Sequence, residues 1–554
     1  MSIRPRRVAA VLLACAAAIA VFVAIVAQGD RAAGPETTPQ STDDVHPGLR
    51  WFVGDGYFLS SIDAAAQPLD GPPADWASSL HVVNPGTQPA HVGLTIYRLR
   101  SAPTRSAVEV APGQLYTIDL ARRRDVPRGE PFWVAVDADR PVFPQIVHQT
   151  FRPWDIVPEG IAVVPPQAAP LDDSHTSWIY PDAFQGGTAR WLEQETITLL
   201  NPSPHGGDAR LVFQFRDGRP TRTHDVALAA QRVTLVDLAA LFPEDGTPLT
   251  PALSGDFSIT ITATRPVVTQ QTRRVYWRGR REITSLTTRA PLRRADVIDA
   301  REWYYAGGWT RDLDILPRDG QTDRTWHLLF TYPLDGRARG LEVQPSNGAA
   351  PVQLPIVPGR SDLQWLHLAP WRETFAGEAP WGFSLRADGP VAPAVTTAEF
   401  EPWSQAMPGA MGAGNLVSDA AARRQESWLG VAYHGGADDR PTEWLSAWQL
   451  YNPGAAAFHG TLYFHTDDGG RLEHPVTVAP GRVTRVTGDA VPGLPMGRPF
   501  VVQAVADRPF AAHAWLRARA RGVPTVRAMS STAGVAVQLA GADATDDGAT
   551  LPGQ

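Results

Sequence analysis

Short stretches of alternating apolar and polar residues recur along most of the chain. In AHVGLTIYRL, Val92, Leu94 and Ile96 alternate with Gly93, Thr95 and Tyr97; in ARLVFQF, Leu211, Phe213 and Phe215 set the same rhythm. A period of two puts one set of side chains on one face of a pleated strand, so these segments predict half-buried β-strands. Several runs end at Asn-Pro, as at Asn84-Pro85, Asn201-Pro202 and Asn452-Pro453. Proline has no N–H to donate and holds its predecessor extended, so such a step closes a strand and starts a turn. Many short strands cut by turns, with no sustained 3.6-residue period, predict an all-β chain of sandwiches.

One segment breaks the pattern. Arg4, Arg6 and Arg7 precede an unbroken apolar run from Val8 to Ala27, long enough to cross the roughly 30 Å hydrocarbon core as a helix. Arginines kept on the cytoplasmic side would place the rest of the chain outside, as a single-pass protein of the cell membrane. The alternative is a signal peptide cleaved after Gly29, which would release a secreted protein. Residues 1–28 are therefore read as a signal anchor or transmembrane helix, and 29–48 as a small, polar linker.

The remaining chain repeats itself. Four openings carry a tryptophan: Trp51-Phe52-Val53, Trp178-Ile179-Tyr180, Trp303-Tyr304-Tyr305 and Trp428-Leu429-Gly430. Each is followed by a strand ending in a turn, at Asn84-Pro85, Asn201-Pro202, Tyr332-Pro333 and Asn452-Pro453, with Tyr332 standing in for the asparagine in the third. Then come a strand pair about a turn (VAPGQLYTIDL, LAAQRVTLVDL, VPGRSDLQWLHL, VAPGRVTRVTG) and a Pro-led strand (DRPVFPQIVHQ, TRPVVTQQTRR, DGPVAPAVTTA, DRPFAAHAWLR). Fixed order at a drifting spacing of about 120 residues marks duplicated domains. The expected repeats span 49–171, 172–297, 298–421 and 422–537, with polar linkers DDSHTS, RRADVIDARE and SDAAARRQES between them; 538–554 reads as a disordered tail.

Composition narrows the function. The formal net charge is −7, which argues against nucleic acid, since phosphate binding needs a basic face. No lysine occurs, so all 50 basic residues are arginine. The only cysteine, Cys15, lies in the apolar N-terminal run, which rules out disulfides and cysteine-based zinc sites in the exported part.

WFVGDGY at Trp51 to Tyr57, followed by LHVVNPGTQPAHVGLTIYRL, resembles the sensory rhodopsin transducer family, as does RPVVTQQTRR in the second repeat. The resemblance is diluted in repeat 4 and weak in repeat 3. It implies a single-domain β-sandwich that forms homotetramers, passes a signal from a membrane photoreceptor, and has been considered as a small-molecule or sugar-binding scaffold. An exported chain with four copies departs from that pattern. Four linked units would replace the homotetramer with an intramolecular pseudo-tetramer.

No G-x-S-x-G elbow, H-E-x-x-H helix, P-loop or dinucleotide fingerprint is present, and no catalytic residue, cofactor or metal is expected. Glu193 and Glu195 share one strand face, as Asp312 and Asp314 share a loop, but such pairs fit a solvated surface as well as a glycosidase cleft. His148 and His513 read as partly buried structural histidines, and Trp371, Trp381, Trp444 and Trp448 as core or interdomain filler. Four residues after each closing-strand proline stand Gln145, Gln270, Ala394 and His513. A polar group among apolar neighbours needs a hydrogen-bond partner, which a neighbouring loop or a ligand could supply. With Trp51, Asp55 and Tyr57 on the same rim, Gln145, Gln270 and His513 are the candidate ligand-binding residues; Asp182 and Phe184 fit the offsets of Asp55 and Tyr57 in repeat 2.

The expected function is a non-enzymatic cell-envelope binding or scaffold protein. It would be held to the membrane by its N-terminal helix and would recognise a glycan, a small molecule or another envelope protein. A purely structural surface stalk and a hydrolase with an unrecognised site are the alternatives.

Overall fold

A computed structural model describes residues 50–535 except 57–75, 128–129, 152–156, 169–170, 188–190, 242–254, 278–281, 309–324, 335–337, 339, 357–361, 366–379, 401–407, 437–440 and 523–525. The apolar run Val8–Ala27, the linker, Tyr57, the Asp312/Asp314 pair, Trp371 and the tail lie outside the described residues. Among the described residues no helix is long and apolar enough to cross a membrane.

The chain is all-β, and its antiparallel strands form four successive two-sheet units. The second unit shows the plan. One sheet runs Arg222–Leu228, Gly207–Phe215, Gly255–Ala263, Ser177–Gly187, and the other runs Arg232–Asp237, Trp191–Asn201, Val268–Trp277, Glu282–Arg289. A short pairing of Gly186 with Glu193 joins the two at one corner. Trp178, Tyr180, Leu211, Phe213, Phe257 and Ile259 from the first sheet meet Ile197, Leu199 and Val236 from the second in one apolar core. Leu211, Phe213 and Phe215, the alternating positions read from the sequence, all lie in this core.

The Asn-Pro landmark has a specific structural task. The Asn84 amide donates to the carbonyls of Gln88 and Val110, and its Oδ1 accepts from Gly86 N–H. Asn201 makes the matching set with His205, Ala229 and Ser203, and Asn452 with Ala456, Val478 and Gly454. One buried side chain thus satisfies the backbone of a turn that proline forbids to continue as a ladder. Repeat 3 departs from the expected alignment. Tyr332 pairs with Ala392, the place where repeat 2 pairs Leu200 with Val268. Pro333, not Tyr332, therefore occupies the asparagine position, and has no side-chain amide to brace that turn.

The polar linkers fold into short helical turns rather than open loops: Asp173–Thr176 capped by Asp172, Arg294–Asp299, and Asp419–Ala422 capped by Ser418. Beside each, the chain returns to the opening strand of the repeat just completed. Gln167–Ala168 pairs with Trp51 and Phe52, Leu292–Arg293 with Trp178 and Ile179, and Val417–Ser418 with Trp303 and Tyr304. In repeat 4, Val535 bridges to Trp428.

Within one compact unit, the four sandwiches pack in cyclic order. Their last strands, Pro158–Val164, Glu282–Arg289, Pro408–Asn415 and Val526–Ala533, contact one another first to second, second to third, third to fourth and fourth to first. Each opening strand also lies against the Pro-led strand of the next repeat, and that of repeat 4 lies against Phe143–Phe151 of repeat 1.

Candidate functional site

The residues of chemical interest collect at the four joints of this cycle. Trp51 is a core residue whose indole N–H donates to Val142 O at 2.8 Å. Asp55 lies on the opening strand Arg50–Gly56. Gln145 is buried, and its Oε1 accepts from Val431 N–H of repeat 4. His513 is buried against repeat 3: its ring centroid is 5.3 Å from Tyr305, and a Cβ on Gly307 would come within 2.4 Å of it. Gln270 is fully buried and pairs across its sheet with Thr198, which accepts from the Trp133 indole of repeat 1 at 3.2 Å. Among the described residues neither amide atom of Gln270 has a hydrogen-bond partner. Gln145, Gln270 and His513 thus sit at three different joints, facing the preceding repeat, and do not converge on one rim.

The joints differ in chemistry. Between repeats 1 and 2, Phe52, Tyr97 and Trp133 pack on Leu200, Val233 and Val268. Between repeats 4 and 1, Phe143 stacks on Trp428 with centroids 4.9 Å apart, and Val163 N–H donates to Ser530 Oγ at 3.0 Å. Between repeats 3 and 4, Gln449 donates to Gly308 O at 2.7 Å while accepting from the Trp515 indole at 2.8 Å.

Repeat 2 meets repeat 3 through a buried charged cluster, which corrects the reading of Glu193 and Glu195 as a solvated pair. Arg273 lies 2.8 Å from Asp182, 2.5 Å from Glu195 and 2.9 Å from Glu193. Arg289 holds the other Asp182 oxygen at 2.7 Å and reaches across the joint to donate to Thr396 at 2.7 Å. Thr396 in turn donates to Asp182. Gln271 and the Phe184 N–H donate to Glu195 at 2.7 and 2.9 Å.

Burial would raise the Asp182 carboxyl, but Arg273 and Arg289 overcome it and hold the group at about 2. Burial also raises Glu193, and Arg273 offsets only part, leaving it at about 8 and protonated at neutral pH. Glu195 is raised by burial as well, against the pull of Arg273. The carboxyls are sealed from solvent and held by arginine, and the cluster ties repeat 2 to repeat 3 through Arg289, Asp182 and Thr396. Among the described residues, no group of three or more His, Cys, Asp or Glu is placed to hold a metal ion.

The remaining aromatic expectations concern packing. Trp381, Trp444 and Trp448 are buried. His148 is paired with Ser78 at 2.6 Å in the core of repeat 1, in the cross-strand position that Arg273 and Glu195 take in repeat 2.

Residues 174–290 match the family model described as Anabaena sensory rhodopsin transducer, so the second repeat carries the pattern of that family. The sandwich described above is a β-rich domain, and its second repeat is similar to that family. No curated protein matches the chain. Solved structures similar to parts of it include Thermotoga maritima 1070, at 21% identity and TM-score 0.17, covering 21% of this chain and 92% of that one. A tetra-tandem repeat in the extending region of a large adhesion protein aligns at 11% identity and TM-score 0.10, covering 82% of this chain and 92% of that one.

Proposed function

We propose that the chain is a non-enzymatic scaffold or binding protein of the cell envelope, in which four transducer-like sandwiches form an intramolecular pseudo-tetramer. The observation that carries this reading is the cyclic packing of the four last strands, closed by the contact between repeats 4 and 1. The apolar run Val8–Ala27 supports the envelope location. The same closure favours this reading over an extended stalk, in which the first and fourth repeats would not meet.

Small-angle scattering on residues 46–536 tests it. A closed particle of this length has a radius of gyration of about 23 Å. A value near twice that, with a rod-like distance distribution, overturns the pseudo-tetramer and returns the stalk to first place. Release of the chain from washed membranes by salt or carbonate, without detergent, would overturn the anchored location.

A further inference from the structure

The joint between repeats 3 and 4 holds a cleft of about 430 Å³, lined by Tyr304 of the third repeat and by Pro453 and Pro509 of the fourth. That volume lies in the range of small-molecule sites, ~300–1,000 Å³. Arg301, Arg386 and Arg423 line it, together with Glu302 and Asp419.

The charges are layered. Glu302 and Asp419 are the more buried, with side chains 20% and 15% exposed, against 63% and 76% for Arg386 and Arg423. Glu302 is held from behind by the Tyr304 hydroxyl at 3.2 Å and Asp419 by Arg301 N–H at 3.2 Å. Each carboxylate then takes one arginine, Arg386 at 3.3 Å and Arg423 at 3.4 Å. The Arg301 side chain is exposed and makes no ion pair among the described residues. Three guanidiniums against two carboxylates leave one positive charge, with the arginines the more exposed of the two sets.

The joint between repeats 1 and 2 shows what is particular here. Its corresponding ion pair is reversed, Arg50 with Asp137 at 2.8 Å where repeat 3 has Glu302 with Arg386. The third repeat instead places its arginine on the strand that lines the cleft.

We infer that this cleft binds a small organic oxyanion, a carboxylate or phosphate group on a compact body, through Arg301, Arg423 and Arg386. A guanidinium donates in a planar fork that matches either group. The inference needs the joint between repeats 3 and 4 but not the closure of the cycle, and it supplies ligand chemistry for the binding reading above.

The test is calorimetric titration of the full chain with glucuronate, glucose 6-phosphate and glucose, in wild type, Arg301→Ala, Arg423→Ala and the remote control Arg210→Ala. Arg210 is an exposed arginine paired with Asp225 on repeat 2. The expected result is one saturable site for at least one of the two anions and none for glucose. Affinity should fall at least tenfold in Arg301→Ala and Arg423→Ala, with unchanged thermal midpoints, and hold in Arg210→Ala. Binding of glucuronate alone assigns a carboxylate, and of the phosphate ester alone a phosphate. Absence of a saturable site for either anion, equal binding of glucose, or equal losses in all three variants overturns it. A scattering curve unchanged by the cleft substitutions separates its failure from failure of the pseudo-tetramer.

Discussion

Phe143 in the first repeat stacks on Trp428 in the fourth, their rings 18° from parallel. Phe143 also meets Trp51 edge-on at 5.7 Å, so one ring serves the core of its own sandwich and the joint that closes the cycle. Phe143→Ala should cost about 3–5 kcal/mol, the usual range for a buried aromatic. Denaturant titration should then resolve an early transition in which repeats 1 and 4 part. A single transition at the wild-type midpoint would show that the stack contributes nothing to closure.

Arg273→Met should be among the most damaging single changes. It leaves Asp182 and Glu195 buried without their main partner, and breaking a buried pair from one side costs about 3–5 kcal/mol. Chemical denaturation checks the loss. A stability within error of wild type would mean the carboxyls take up protons without consequence.

Gln270→Met is expected to stabilise. The side chain is fully buried with both amide atoms unpartnered among the described residues, and an unsatisfied buried polar group costs about 1–3 kcal/mol. An unbranched apolar chain of similar length removes that cost and keeps the volume. A lowered thermal midpoint would show that the amide bonds to something at the joint, such as a bound molecule.

The cluster also predicts a pH dependence. Glu193 keeps its proton in the folded protein up to about 8, whereas the unfolded chain releases it near the ordinary 4.5. The folded state binds the extra proton between those values, so this contribution is full below 4.5 and is lost as pH rises towards 8. Glu193→Gln cannot ionise. Its stability relative to wild type should rise steadily from pH 5 to pH 8 and level off above. His81 and His513 act on the acid side: burial lowers both to about 3, so their contribution is present above 6.5 and lost as pH falls towards 3. A flat difference between wild type and Glu193→Gln from pH 5 to 9 would remove Glu193 from the account.

The strands and the fourfold order were legible because a period of two and a turn-forming Asn-Pro are both local signals. What lies against a strand face is not local. Glu193 and Glu195 alternate as solvent-facing residues would, and their partner Arg273 comes from another strand. The polar positions Gln145, Gln270 and His513 were visible, but the surface each faces belongs to another repeat. The slip in repeat 3 was hidden because Tyr332-Pro333 imitates Asn-Pro in sequence, whereas the pairing with Ala392 moves it by one residue. The cleft beside Tyr304 gave no signal, since its walls come from five separate stretches of chain.

Linking the four sandwiches in one polypeptide changes how such an assembly can evolve. In an oligomer of identical chains, a substitution at a joint appears at every joint at once and must suit all of them. Here each is altered alone. Gly307 makes room for His513 at one joint while Asp182, its counterpart, carries two arginines at another. Divergence of this kind lets three junctions keep the particle intact while a fourth acquires an arginine-lined opening, a division of labour closed to a symmetric tetramer.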